Sequence, residues 1–541
     1  MIDTNIDSPS TDAPLPTGGR RGIVRSAGVI GIGNITSRLL GLVRESVIAA
    51  YFGTGELANA FKVAALVPTL IYDMLIGGLL SSALVPVFSG YADRDNRTDL
   101  WRLASLFITL AVVVLSLIAG LVALFAPQIA RLLVSGYDAQ QQALVAQLIR
   151  VVAPSILFFG ISGSLTGLLY ALKRFNFAAF AAAIYNFGVI LGAVLLSRGF
   201  EGQGRVIGLT LGVVLGSVMQ LLLLLPDLRD VRLRPRLGAF WRDPGIRRIV
   251  KLFIPVALSV IVAAAGTVID RNLASTTKAS QTIAWMDYAT RLIQLPLGLV
   301  AAAVSLAVLP DLSRSAARLD EAGYRSTLQL GLRMVLVLII PAAIGLFVLA
   351  QPAVALIYER GSFAISDTVA VSGALRLYLL GLSFAAIDQV LIFAFYARQD
   401  TLTPALVGIG AIVVYLAVAV PLLARLQMAG LIWANVAQHT FHALTMLYLV
   451  QRRYGGLRGG AFRGLLPRLL IASAAMGGAV WATLATLPAA PPTMGGRVLA
   501  VLAPALVGAV VYGGAVVLLR IEEAQRIAAL VVAKVRGRAG G

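Results

Sequence analysis

The chain contains no cysteine, and His439 and His442 are the only histidines among its 541 residues. Without cysteine there is no disulfide and no thiolate metal site, and two histidines leave little material for a histidine-rich site. Charged residues make up only 13% of the chain. The sequence also lacks the P-loop lysine motif of ATPases, and no Ser-His-Asp set can be placed. We therefore expect no enzyme, no cofactor and no bound metal.

Apolar residues, in contrast, are abundant. They form 59% of the chain, and the mean hydropathy is +0.87. A soluble globular protein does not need so much apolar surface. Because a membrane-spanning helix takes about 20 apolar residues, the sequence predicts an all-α polytopic membrane protein with about fourteen spans. The predicted spans are residues 27–51, 60–88, 102–126, 144–171, 177–197, 205–225, 250–270, 282–309, 327–350, 367–396, 402–424, 428–450, 466–487 and 497–519.

The basic residues lie unevenly between these spans. The formal net charge is +20, and most lysines and arginines occupy alternate gaps, above all the gap 226–251. Basic loops stay in the cytoplasm, so both termini are predicted to be cytoplasmic. The membrane surface explains this charge better than nucleic acid does. Residues 1–25 are polar and have no apolar core of a signal peptide. We expect them to form a disordered tail.

The chain repeats itself at an offset of about 224 residues. Ser81, Pro86 and Ser89 match Ser305, Pro310 and Ser313, and the pair Tyr-Ala at 170–171 matches that at 396–397. Because each unit has six helices, the two copies share one orientation, as in transporters that bind substrate between two lobes. The predicted organisation is an N-lobe at 26–226, a basic linker at 227–250, a C-lobe at 251–451, two further helices at 452–520 and a cytoplasmic tail at 521–541. Part of this tail, 521–536, could form an interfacial helix.

Charged residues inside predicted spans are costly and therefore informative. Arg38 and Arg44 on the first span are the candidates for holding an anion. We expect support around them from six further polar residues: Glu45, Tyr72, Asp73, Asp270, Arg271 and Asp287.

Structural roles remain open for many of these charges. Arg44 could neutralise Glu45, Arg38 could extend to the lipid headgroups, and Asp287 could pair with Arg291 one helical turn away. Asp270 and Arg271 could form an interfacial anchor. We expect Arg376 and Asp388 to be structural. His439 and His442 share a helix face suited to proton relay, but the sequence shows no carboxylate beside them.

Several segments of this chain resemble the MurJ (MviN) lipid II flippases. They are residues 37–45 (SRLLGLVRE) with Phe52-Gly53, residues 310–313 (PDLS), residues 357–363 (IYERGSF) and residues 394–404 (AFYARQDTLTP). The resemblance extends over about residues 24–520. It implies a fourteen-helix, two-lobe exporter fold in the bacterial cytoplasmic membrane. It also implies that undecaprenyl-pyrophosphate-linked peptidoglycan precursor is moved to the outer leaflet by alternating access.

On this resemblance, Arg38, Arg44 and Arg291 match cavity arginines of the family. The planar fork of an arginine suits a pyrophosphate. The implied partners are a polyprenyl-pyrophosphate-linked glycolipid and membrane lipids, with cell-wall synthesis proteins left open. The membrane potential or an ion gradient is the expected drive.

The chain also departs from the family pattern at several positions. Tyr72 and Asp73 stand where an arginine is common, Gly77 and Gln294 replace glutamates, and Asn59 replaces an aspartate. Tyr415 and Ala419 occupy the stretch that gives some members a sodium site. These departures keep a flippase for another polyprenyl-linked oligosaccharide open, and less so a multidrug antiporter of the same fold. A non-transporting scaffold in a cell-wall synthesis complex is the alternative from a different class.

Overall fold

The computed structural model describes residues 17–92, 98–236, 238, 240–455, 462, 464–487 and 493–525, and these residues form helices and connecting loops without strands. Fourteen long helical segments confirm the all-α prediction. In chain order they are α1 Thr17–Phe52, α2 56–92, α3 Thr98–Leu124, α4 Ala139–Val152 with Ser155–Ala171, α5 Ala178–Gly199, α6 Gly202–Leu228, α7 Pro244–Ser275, α8 Thr282–Ala317, α9 Glu321–Val348, α10 Ile365–Ala397, α11 Leu402–Leu426, α12 Met428–Tyr454, α13 Leu465–Thr486 and α14 Met494–Leu518.

Length and composition alone allow ten of these segments to cross a membrane. The two pieces of α4, bent by 41°, bring the number to eleven. The other three, α1, α2 and α12, carry many of the charged and polar residues discussed below.

Irregular turns recur at corresponding places in α1–α6, called here the N-half, and α7–α12, the C-half. In α2 the helix widens to a π-helix at Met74–Leu84, and in α8 it does so at Leu297–Ala301. Pro296 directly precedes the second of these, and a proline removes a backbone donor and displaces the turn before it. Short helices, Ala126–Leu133 and Ala350–Tyr358, follow α3 and α9. These features have nearly the same spacing as the sequence repeat.

The ends of the chain differ in part from expectation. The disordered tail was predicted to include residues up to 25, but α1 begins at Thr17. An early start is understandable, because residues 17–25 contain no proline to interrupt a helix. The rest of the predicted tail, residues 1–16, and most of the predicted interfacial helix, residues 526–536, lie outside the described residues.

Helices α5 and α6 approach each other closely and so hold one wall of the interior. A Cβ on Gly188 would lie 2.3 Å from the Cα of Gly216, and a Cβ on Gly192 would lie equally close to the Cα of Gly212. Small residues are what allow two membrane helices to pack at such short range. The tight pair places Asn186 of α5 next to α1, where it accepts a hydrogen bond from Arg44.

The two halves meet tightly where α1 ends and α2 begins, at a contact that we call the seal (Ala50, Gly53, Gly361 and Ser362). Ser362 N donates to Ala50 O over 2.8 Å. Both glycines have positive φ angles, +62° at Gly53 and +59° at Gly361. A Cβ on Gly361 would lie 2.2 Å from Ala50 O, and one on Gly53 would lie 2.5 Å from Ser362 O. The seal therefore excludes side chains at both glycines.

A polar contact lies beside the seal. Asp367 of α10 accepts hydrogen bonds from Thr54 Oγ1 at 2.7 Å and from Trp285 Nε1 at 2.9 Å. Asn59 of α2 is fully buried and accepts from Ala284 N, a free donor in the first turn of α8, at 2.8 Å. Its amide nitrogen donates to Thr54 O. An aspartate could not make that donation, so the departure at Asn59 gives a fully bonded link between the halves.

We predict that Gly361→Ala opens the seal. The left-handed backbone costs an alanine about 1–2 kcal/mol, and the added Cβ meets backbone at Ala50. Since the chain has no cysteine, a single Ala58→Cys in the buried first turn of α2 gives a background-free probe. The Gly361→Ala background should make it reactive to a membrane-impermeant maleimide. Gly373→Ala, where a Cβ meets nothing within 4 Å, is the control. Equal maleimide labelling of Ala58→Cys in the Gly361→Ala and Gly373→Ala backgrounds would contradict the proposed role of the seal.

Candidate functional site

A cluster of buried charges lies between the halves. Lys62 Nζ of α2 contacts Glu45 Oε2 of α1 at 2.9 Å and Asp287 Oδ2 of α8 at 2.7 Å. Arg271 of α7 binds the other oxygen of Asp287 at 2.8 Å. The Lys62 side chain is only 4% exposed. Because Lys62 bonds to carboxylates of both halves, it ties the N-half to the C-half at the centre of the bundle.

Arg44 adds a further cation to this cluster. Its Nη2 lies 2.6 Å from Glu45 Oε1, and its Nη1 donates to Asn186 Oδ1 over 2.9 Å. Asn186 in turn donates to the backbone oxygen of Ser37 on α1. The interpretation that Arg44 neutralises Glu45 is thus confirmed, and the same side chain also lines the cavities described next.

The three arginines singled out from the sequence line one cavity of about 200 Å³. Arg38 donates from Nη1 to the backbone oxygen of Gln294 at 3.2 Å and lies directly on Gly298. Arg291 donates to the Gln294 side-chain oxygen at 3.5 Å. Gln294 therefore touches both arginines without neutralising either of them. A glutamate here, as the resemblance suggests for the family, would cancel one positive charge.

A second cavity of about 220 Å³ lies on the other side of the same charges. Arg44, Arg291, Glu45 and Asp287 line it together with Lys62, Arg271, Tyr72 and Asp73. The Tyr72 hydroxyl accepts a hydrogen bond from Gln220 at 3.4 Å, and its ring packs at 4.7 Å on Phe159. Tyr72 and Asp73, the departures on α2, thus face the cavity and are positioned to affect what it binds.

The cluster has more positive charge than its own carboxylates neutralise. Arg44, Lys62, Arg271 and Arg291 share the cavity wall with three carboxylates, Glu45, Asp287 and Asp73. Among the described residues, the buried Nε atoms of Arg44, Arg271 and Arg291 have no hydrogen-bond partner in the protein. The excess of cations beside two cavities makes this region suited to an anion.

The structure modifies several expectations about individual residues. The Asp287–Arg291 pair exists but is long, at 4.0 Å, because Asp287 is held by Lys62 and Arg271. The interpretation of Asp270 and Arg271 as an interfacial anchor is wrong. Arg271 points into the cluster, whereas Asp270 lies outside both cavities and accepts from Tyr415 at 2.7 Å.

Two features escaped the sequence analysis. Lys62 was not singled out, although a lysine two residues inside a predicted span is the same kind of signal that identified Arg38. The carboxylate that the sequence did not show beside the histidines is Asp388, whose Oδ1 lies 2.6 Å from His442 Nδ1. Arg376, which we expected to be structural, donates to the backbone oxygen of Phe347.

The motifs that carry the resemblance occupy structural junctions. Residues 357–363 include the second-half side of the seal, and Glu359 binds Arg497 of α14 at 2.9 Å. In residues 394–404, Arg398 pairs with Glu321 at 2.7 Å and lies over the rings of Tyr324 and Tyr454. The motifs thus fix the helix ends around the site.

Comparison with known proteins identifies the family. The family model for "Lipid II flippase MurJ" matches residues 48–490. A "Probable lipid II flippase MurJ" of Vibrio cholerae is 34% identical over 402 residues, which cover 72% of this chain and 76% of the relative. A "Lipid II flippase MurJ" of Burkholderia cenocepacia is 30% identical over 386 residues, 70% of this chain and 74% of that protein.

Solved structures share the fold. One described as "Lipid II flippase MurJ, inward closed conformation" aligns with a TM-score of 0.76 at 23% identity, covering 91% of this chain and 98% of that one. An inward-facing transporter of the multidrug resistance MATE family aligns with a TM-score of 0.66 at 14% identity, over 78% of this chain and 95% of that one. By the family model and its sequence relatives, this chain belongs to the MurJ lipid II flippase family, a group of multi-pass transporters of the bacterial inner membrane.

Proposed function

We propose that this protein moves lipid II, the undecaprenyl-pyrophosphate-linked peptidoglycan precursor, from the cytoplasmic to the outer leaflet. The observation that carries the proposal is the arrangement of Arg38, Arg44 and Arg291 on one cavity between the halves, with Nε donors of two of them unbonded. Family membership supports the substrate.

The charge balance suits a pyrophosphate. The substrate brings about two negative charges, and an arginine fork binds phosphate oxygens bidentately. Four cluster cations against Glu45, Asp287 and Asp73 leave an excess of one positive charge, and Arg38 adds another beside it. Within a cavity shielded from water these interactions are stronger than at a surface. The same excess argues against a multidrug antiporter, because a cationic drug would be repelled.

The seal suggests how transport proceeds. With the termini in the cytoplasm, as we propose, the seal lies at the outer face and closes the site on that side. The pyrophosphate binds from the inside, and binding neutralises the charges that the halves share. The halves then rock about the cluster, the seal separates, and the headgroup is released outside. The membrane potential or an ion gradient supplies the drive.

The direct test is rescue of a bacterium depleted of its own lipid II flippase, together with flipping of labelled lipid II by the purified protein in proteoliposomes. We expect rescue and flipping above protein-free vesicles. Failure of both assays by a well-expressed, folded protein would overturn the proposed substrate.

The same vesicles distinguish the alternatives. Flipping of a different polyprenyl-pyrophosphate oligosaccharide but not of lipid II would indicate another glycolipid. Tyr72 and Asp73 would then be the first positions to exchange. A scaffold without transport activity would leave every lipid unflipped.

A further inference from the structure

A buried histidine–carboxylate pair lies in the C-half, apart from the arginine cavities. His442 of α12 is 9% exposed and Asp388 of α10 is 8% exposed. His442 Nδ1 lies 2.6 Å from Asp388 Oδ1, and Nε2 lies 3.3 Å from the backbone oxygen of Pro404 on α11. Both ring nitrogens face an acceptor, which is the environment that accommodates a doubly protonated imidazolium.

Two adjoining cavities extend from this pair along the C-half. The first, of about 290 Å³, is lined by Thr401 at the start of α11, by Asp388 and by both histidines. The second, of about 160 Å³, is lined by His439, Asn435, Tyr415 and Asp270. His439 and Gln438 border both. The wall of the first cavity is mostly apolar and that of the second is mixed, and each cavity is far larger than one water requires. Together they connect the α10–α11 loop with a point five residues before the end of α7.

The far end of this path is close to the substrate cluster. Asp270 is the chain neighbour of Arg271, and Arg271 binds Asp287, the carboxylate that Lys62 ties to the N-half. A change of charge at Asp270 therefore acts on Arg271 and, through it, on the link between the halves.

The charged and titratable groups facing the path come from four helices. They are Asp270 and Arg271 on α7, Asp388 and Tyr396 on α10, Tyr415 on α11, and His439 and His442 on α12. Tyr415 donates its hydroxyl proton to Asp270.

We propose that the His442–Asp388 pair is a proton-binding site and that Asp270 and His439 carry the proton to it, so that a proton is the coupling ion of the flippase. This inference rests on the proposed function for the coupling, but not for the proton site itself. With the termini in the cytoplasm, α7 ends at the outer face and the α10–α11 loop lies at the inner face. The proton therefore arrives at Asp270, passes through the second cavity to His439 and then to His442, one helical turn away. It leaves on the α10–α11 side, and only N–H and O–H bonds are made and broken.

Proton binding at the His442–Asp388 pair can be measured by a titration that needs no transport assay. Because the chain has only two histidines, histidine-selective ¹⁵N labelling of the tag-free protein in nanodiscs gives two imidazoles, which His439→Gln assigns. We expect the His442 ring to titrate between about pH 5 and pH 9, and Asp388→Asn to displace its titration. A His442 signal that is unchanged over this range and insensitive to Asp388→Asn would overturn the proposal.

Coupling is tested in proteoliposomes with the membrane potential clamped by potassium and valinomycin. One pH unit supplies a driving ratio of about tenfold per proton, so wild type should flip labelled lipid II faster with the gradient than without it. His442→Gln and Asp388→Asn should lose this response and keep gradient-independent exchange. Tyr448→Phe, at an exposed position of α12, should respond like wild type.

Different results would contradict proton coupling and the proposed lipid II flippase function. Flipping that ignores the gradient in wild type would overturn proton coupling and leave the flippase intact. Absence of lipid II flipping would overturn the proposed function, and the histidine titration would then decide the proton site by itself.

Discussion

Replacing Arg291 by alanine is expected to abolish rescue of a flippase-depleted strain. Its Nε has no hydrogen-bond partner, and its nearest carboxylate contact, with Glu45, is 3.8 Å long. Its donors are thus available to the substrate. A hydrogen bond to a charged group contributes about 1.5–3 kcal/mol, which corresponds to roughly 10- to 150-fold in affinity. Lipid II binding and flipping by the purified variant measure the loss.

Matched variants separate recognition from folding. Arg291→Lys keeps the charge but loses the planar fork, so we expect it to retain only part of the activity. Arg131→Ala, at an exposed position of the short helix after α3, should transport like wild type. Arg291→Ala should keep its thermal stability, because no tight ion pair is broken. A variant that unfolds, or one that rescues fully, would refute a binding role for Arg291.

Replacing Lys62 by methionine is expected to have the largest effect on stability. Lys62 contacts Glu45 and Asp287 at 2.9 and 2.7 Å, and its side chain is 4% exposed. Removing one partner of a buried ion pair typically costs about 3–5 kcal/mol. Here Arg44 still pairs with Glu45 and Arg271 with Asp287, so we expect a loss towards the lower end of that range. We therefore expect a lower melting temperature for the detergent-purified Lys62→Met protein and less folded protein in the membrane.

A second substitution tests whether the broken ion pair causes the loss of stability in Lys62→Met. Glu45→Gln added to Lys62→Met neutralises the carboxylate whose Oε2 has lost Lys62, and it should recover part of the lost stability. Thermal unfolding of the two single variants and the double variant gives the coupling between the residues. If the stability losses of the two single variants simply add in the double variant, Lys62 does not stabilise the protein through its ion pair with Glu45.

The sequence alone was informative about membrane architecture. A window of apolar residues and the distribution of basic residues predicted the helices, because a lipid-exposed backbone must satisfy its own hydrogen bonds and each span needs a fixed length. The cost of a charge in lipid likewise identified Arg38 and Arg44 as functional candidates, and the family resemblance added Arg291. Both arguments depend on local composition, which a sequence displays directly.

Pairing between helices was not predictable in the same way. Arg271 lies near a span end, so an interfacial anchor and a place at the cavity were both open for it, and only the rotation of α7 turns it to Asp287. Asp388 and His442 are 54 residues apart and belong to different helices. Nothing in their local sequence shows that α10 and α12 pack together, so the carboxylate next to the histidine stayed hidden.

The sequence by itself determined that this protein is a multi-pass membrane transporter with cationic residues in its interior, since hydrophobic length and intramembrane charge are properties of single segments. Only the tertiary structure decided which charges meet. Lys62 joins the halves, three arginines border one cavity, and the seal at Gly53 and Gly361 closes one end. The physical reason is that ion pairs and hydrogen bonds act over about 3–4 Å, and only the packing of distant helices brings their partners within that distance.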